Sequence, residues 1–139
     1  MRSMSDEGKV AIMACAGMDK TLGSVAMLSV LKVSEELRPS KTVLVALPPL
    51  LLGVGICADQ VKKLPVIVVD GCAERCAMKS TMKHGGRIRG RILVLDSAKK
   101  YGLKPDSPFK EGSEGLGLVE KIAGEAASLV DKILEGQEK

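Results

Sequence analysis

Three short stretches of this chain are apolar without a break: Val43-Leu44-Val45, Val66-Ile67-Val68-Val69 and Ile92-Leu93-Val94-Leu95. A strand with one face in water alternates polar and apolar side chains, whereas a strand covered on both faces has no reason to. Runs of this kind call for a parallel sheet with helices on each face. With the apolar segment that precedes Cys15, the candidate strands are residues 10–14, 42–47, 65–69 and 91–95.

Helical patterns separate them. Ala26, Val30, Val33 and Leu37 recur at helical spacing, and Pro39 follows as a stop. A second helix falls between residues 50 and 63, and a third spans about residues 73–84 with Gly85-Gly86 as terminator. Val119, Ile122, Ala123, Ala126, Leu129, Val130 and Ile133 form the apolar stripe of a last helix, ended by Gly136. This alternation predicts a three-layer α/β fold: an open, mostly parallel sheet of four strands in the order 2-1-3-4, with helices on both faces.

A chain of 139 residues that is 45% hydrophobic suits one core. Residues 1–139 are read as a single α/β domain. Residues 1–8 form an N-terminal tail, 98–115 a surface loop rich in Gly and Pro, and 116–136 the C-terminal helix. Residues 42–58 carry no charge, but Pro48-Pro49 and Gly53 divide them, which argues against a membrane span. The acidic residues and short apolar run before Cys15 argue against a signal peptide.

The net charge of +4 names no partner. Tyr101 and Phe109 are the only aromatics, so bases of a single-stranded nucleic acid have little to stack on. A nucleic-acid partner is not expected, nor a membrane. A metal ion is expected, and a protein partner is compatible with the sequence; the oligomeric state is left open. Four cysteines in a chain this long do not make a secreted disulfide scaffold. They read as reduced thiols of a cytoplasmic protein, open to metal or redox chemistry.

Cys15 follows the first strand and Cys72 the third. If these strands are neighbours, their tips lie about 5 Å apart. The two thiols then share the crevice outside the carboxyl ends of the strands, where open α/β sheets bind ligands. Cys76 lies four residues after Cys72. On a helix that spacing sets the pair one turn apart, about 6 Å between Cβ atoms, and the helix N-terminus favours thiolate. Ala73, Ala77, Met78, Thr81 and Met82 form the apolar side of that helix, and Cys72 and Cys76 point away from it. Cys57 shares a stripe with Val54, Val61 and Leu64, so it is either a core residue or a fourth ligand. His84 ends the third helix, about 18 Å from Cys72, too far to complete the set. Asp70 is placed to cap the third helix or to support a ligand.

Other chemistry fits less well. Residues 17–23 open a helix after a strand but carry neither G-x-G-x-x-G nor a P-loop. They offer at most an anion site at Lys20 and Thr21. The cysteine–five residues–arginine loop of small phosphatases fails, since Thr21 and Met78 stand where arginine belongs. Lys79, Lys83, Arg87, Arg89 and Arg91 make a basic stretch, either a solvated face or a surface for nucleic acid or a phosphorylated ligand.

The run Val68-Val69-Asp70-Gly71-Cys72, followed by Cys76, together with Met13-Ala14-Cys15-Ala16-Gly17, resembles the DGC-domain family over about residues 10–95. That resemblance implies a zinc-type site of clustered cysteines, inherited here by Cys15, Cys72 and Cys76. The family often carries another cysteine in the second strand, where this chain has Val45 and its neighbours, so the fourth position falls to Cys57, water or a partner's ligand. The sequence therefore points to a Zn²⁺-binding protein, with metal handling as one use. The alternatives are a thiol redox or cysteine-nucleophile enzyme, in which Cys72 attacks and Cys76 or Cys15 resolves, and a partner-binding module that the metal stabilises.

Overall fold

The structure, a computed structural model, describes residues 8–15, 21–45, 55–71 and 74–137, with the backbone alone for 55–58 and 137. Its centre is a four-stranded parallel sheet in the order β2-β1-β3-β4. The strands are β1 (Val10–Ala14), β2 (Thr42–Leu44), β3 (Pro65–Asp70) and β4 (Arg87–Leu93). The helices are α1 (Thr21–Lys32), α2 (Gly55–Lys63), α3 (Cys76–Lys83), α4 (Val94–Tyr101) and α5 (Glu114–Gln137), and α1 runs on into a π-helical turn, Val33–Leu37. Order and direction are those the apolar runs imply.

The two central strands are buried along their whole length. Val10, Ile12 and Ala14 of β1 join Ile67 and Val69 of β3 on one face, packed against α1, α4 and α5 through Val25, Val94 and Ile122. Ala11, Met13, Val66 and Val68 face the other way, toward Val61 of α2 and Ala77 of α3. Both faces of each strand therefore lie in a hydrocarbon layer, which is why neither strand alternates in sequence. Each fully buried aliphatic side chain here contributes about 1.5–3 kcal/mol relative to exposure.

Several boundaries differ from the sequence reading. β2 ends at Leu44, three residues before the expected end, although the Val45 N–H still donates to the Ile12 carbonyl at 3.0 Å. β4 begins at Arg87 instead of residue 91. It is an edge strand whose arginines face water, so its Arg-Ile-Arg-Gly-Arg-Ile pattern has the period of two of a half-exposed strand. Between Val66 and Ile67 its register slips, and Arg89 is the unpaired residue of the bulge. Gly90 follows, and a Cβ there would press to 3.1 Å from Leu129 of α5. Val94 and Leu95, expected to end the strand, open α4, and α4 takes up the start of the expected loop at 98–115. α5 begins at Glu114, earlier than residue 116, because the Ser113 hydroxyl accepts the Leu116 N–H at 3.1 Å and caps it. The expected tail at 1–8 lies outside the described residues except for Gly8.

Candidate functional site

β1 and β3 are paired neighbours, Ala14 opposite Val69, so both release the chain at one edge of the sheet. Cys15 is the first residue past β1. Its N–H donates to the Val69 carbonyl at 3.2 Å, and its Sγ accepts the Gly71 N–H at 3.0 Å. One residue thus ties the two strand tips together in both directions. Metal binding or nucleophilic attack by this sulfur would use its thiolate form.

Asp70 and Gly71 then steer the chain. A Cβ on Gly71 would stand 2.8 Å from the Leu22 carbonyl carbon and 3.0 Å from the Gly23 nitrogen. No side chain fits between this turn and the start of α1, so only glycine lets β3 exit so close to the helix. Asp70 is 2% exposed. Its carboxylate accepts the N–H of Ala77 at 2.8 Å and of Met78 at 3.2 Å, both in the first turn of α3. It caps a helix that starts six positions further on, occupying N–H groups that have no partner inside the helix. Burial pushes its carboxyl above the ordinary carboxylate range. The two N–H bonds, and then the charges of Arg75 and Lys79, pull the other way without cancelling it. Arg75, the residue before α3, has φ 52° and ψ 50°, and it is the one non-glycine residue at positive φ among those described. That conformation costs an L-residue about 1–2 kcal/mol.

These facts revise the expected geometry of α3. The helix starts at Cys76, not near residue 73, and the left-handed Arg75 interrupts the chain before it. Cys76 is therefore the first residue of the helix, and Cys72, expected one turn before it, lies outside the described residues. The N-terminal N–H groups expected to favour their thiolates are in part taken by Asp70. Met82, expected on the apolar side, is 60% exposed, while Ala77, Ser80 and Thr81 are buried.

The four cysteines fall as follows. Cys15 is half-buried at the β1–β3 crevice, and Cys76 is exposed at the head of α3. Cys72, next after Gly71 in the chain, lies outside the described residues. So does the side chain of Cys57, whose backbone is in α2. Among the described residues no three His, Cys, Asp or Glu side chains gather to hold a metal ion. His84 follows α3 at the end away from Asp70, its N–H bonded to the Ser80 and Thr81 carbonyls. The sequence reading missed the role of Gly71 and the strain at Arg75. The Asp-Gly pair at a strand end was the available signal for a tight turn.

Fold and crevice together define a class: a small parallel α/β protein that presents a thiol at the carboxyl edge of its sheet. The DGC domain model matches residues 11–129, and the chain belongs to that family. No curated protein and no solved structure matches it. No helix among the described residues is long and apolar enough to cross a membrane.

Proposed function

We propose that this chain binds a soft divalent metal ion, Zn²⁺ foremost, through the thiolates of Cys15, Cys72 and Cys76. The fourth position falls to Cys57, water or a ligand from a partner. The supporting observation is the 3.0 Å bond from the Gly71 N–H to the Cys15 sulfur, which holds the first cysteine against the residue that precedes Cys72. The donor set suits the ion: zinc takes four sulfur or nitrogen ligands in a tetrahedron, and N–H bonds to a ligating sulfur tune and orient it. With three protein ligands the site would keep an open position, suited to metal transfer or catalysis; with four it would be closed and structural. When bound, the ion would supply Lewis acidity or a crosslink. The protein's share is to hold Cys15 through Val69 and Gly71 and to anchor the head of α3 through Asp70.

The thiol-redox alternative has less behind it. It drew on a helix N-terminus with free N–H groups beside Cys72 and Cys76, and Asp70 bonds two of those groups.

The test is metal analysis of protein prepared without chelators and loaded with zinc at neutral pH. The expected result is about one ion per chain, lost in Cys15→Ser and in Cys72→Ser. A wild-type stoichiometry near zero overturns the reading.

A further inference from the structure

From residue 75 to residue 95 the chain carries six cationic side chains and no Asp or Glu. They are Arg75, Lys79, Lys83, Arg87, Arg89 and Arg91. They fall on neighbouring elements, α3 with the residue before it and the edge strand β4. Lys79 and Lys83 lie four residues apart on α3, and Arg75 immediately precedes the helix. Arg91 pairs in register with Val68, which faces the α3 layer, so it emerges beside that helix. Arg75 is half-buried, and the other five are exposed.

Elsewhere on the surface four cations form ion pairs, while others, such as Lys99, Lys104 and Lys110, have none among the described residues. Lys32 pairs with Glu36, Arg38 and Lys41 with Asp131, and Lys100 with Glu125. None of the six cations on α3 and β4 has an ion pair among the described residues. Guarding an edge strand against pairing with another chain accounts for arginines on β4. It does not account for Lys79 and Lys83 on the neighbouring helix, nor for exposed Met82 between them.

We infer that the α3–β4 flank docks an acidic segment of a partner protein. Charge complementarity sets the sign of the partner. The chemistry of the flank sets its class: Arg and Met are enriched in protein interfaces, and no aromatic residue lies here to stack on a base. Cys76 stands at the head of the same helix, so a docked segment would lie alongside it. The inference rests on charge and exposure and does not require a metal at the cysteines.

The probe is a fluorescein-labelled 15-residue peptide rich in Glu with two Leu, followed by anisotropy across a salt series. The wild-type chain is expected to bind it, more weakly as salt rises. The triple variant Lys79→Glu, Arg89→Glu, Arg91→Glu is expected to lose about tenfold or more in affinity. A control of equal net charge, Lys99→Glu, Lys104→Glu, Lys110→Glu, is expected to stay within about threefold. All six positions are exposed, and circular dichroism checks that both variants fold. Absence of binding overturns the inference, as does equal loss in both triples, which would make the effect one of bulk charge. A 15-base-pair DNA duplex or phosphatidylserine vesicles bound through the same residues, and more tightly than the peptide, would also overturn it.

Discussion

The two ends of the sheet hold their carboxylates in opposite ways. At the carboxyl end, Asp70 is buried and bonds two backbone N–H groups, and burial raises its pKa. At the amino end, Asp131 of α5 lies near the surface and accepts two bonds from the Arg38 guanidinium, at 2.9 Å from Nε and 2.7 Å from Nη2. Arg38 holds the Asp131 carboxyl below its ordinary value. The first carboxylate locates a helix beside the cysteines. The second links α5 to the turn that follows the π-helical segment, where water could replace much of what it does. The carboxyl end is thus assembled from close backbone contacts with little slack, and the amino end from side chains that tolerate exchange.

The contrast breaks most directly at Gly71. Gly71→Ala sets a methyl group against the backbone of Leu22 and Gly23. It is expected to lower stability by about 3 kcal/mol in chemical denaturation, the upper range for overpacking. A variant as stable as the parent would mean that the turn has slack after all. Asp70→Ala comes next. It leaves two N–H groups of α3 without their acceptor, and a loss of about 2 kcal/mol is expected from the denaturation midpoint. Asp70→Asn should fall between, since an amide oxygen can still accept one of them.

Asp131→Asn should have the smallest effect, and its pH dependence sharpens the comparison. The folded-state pKa of Asp131 is depressed, so its contribution to stability is present above the ordinary carboxylate value of 3.8 and is lost as pH falls through the lower folded value. The variant should therefore be slightly less stable than the parent at neutral pH and converge with it in strong acid, as followed by melting temperature. A gap that persists in acid would assign Asp131 a role apart from the ion pair. Asp70 has the opposite sign: in metal-free protein, burial favours its protonated form in the folded state, so acid does not remove stability through it.

Much of the fold was legible because its signals are local. The unbroken run Val66–Val69 announced a doubly covered strand, and the stripe from Val119 to Ile133 announced α5. The edge strand was harder to read, because the apolar run at 92–95 crosses the boundary between β4 and α4 while the strand's own start is made of arginines. Of the candidate site, the placement of Cys15 beside the exit of β3 followed from strand order. The geometry around Cys76 did not, since helical spacing alone cannot show where a helix begins.

By itself, then, the sequence determined which segments pair, in what order, and that Cys15 would leave the sheet at its carboxyl edge beside the exit of β3; apolar periodicity and connection rules suffice for that. Tertiary structure alone decided that α3 starts at Cys76, that Asp70 caps it, and that Gly71 must lack a side chain. Each of those depends on atoms brought together from separate turns and helices, and no window of neighbouring residues contains that information.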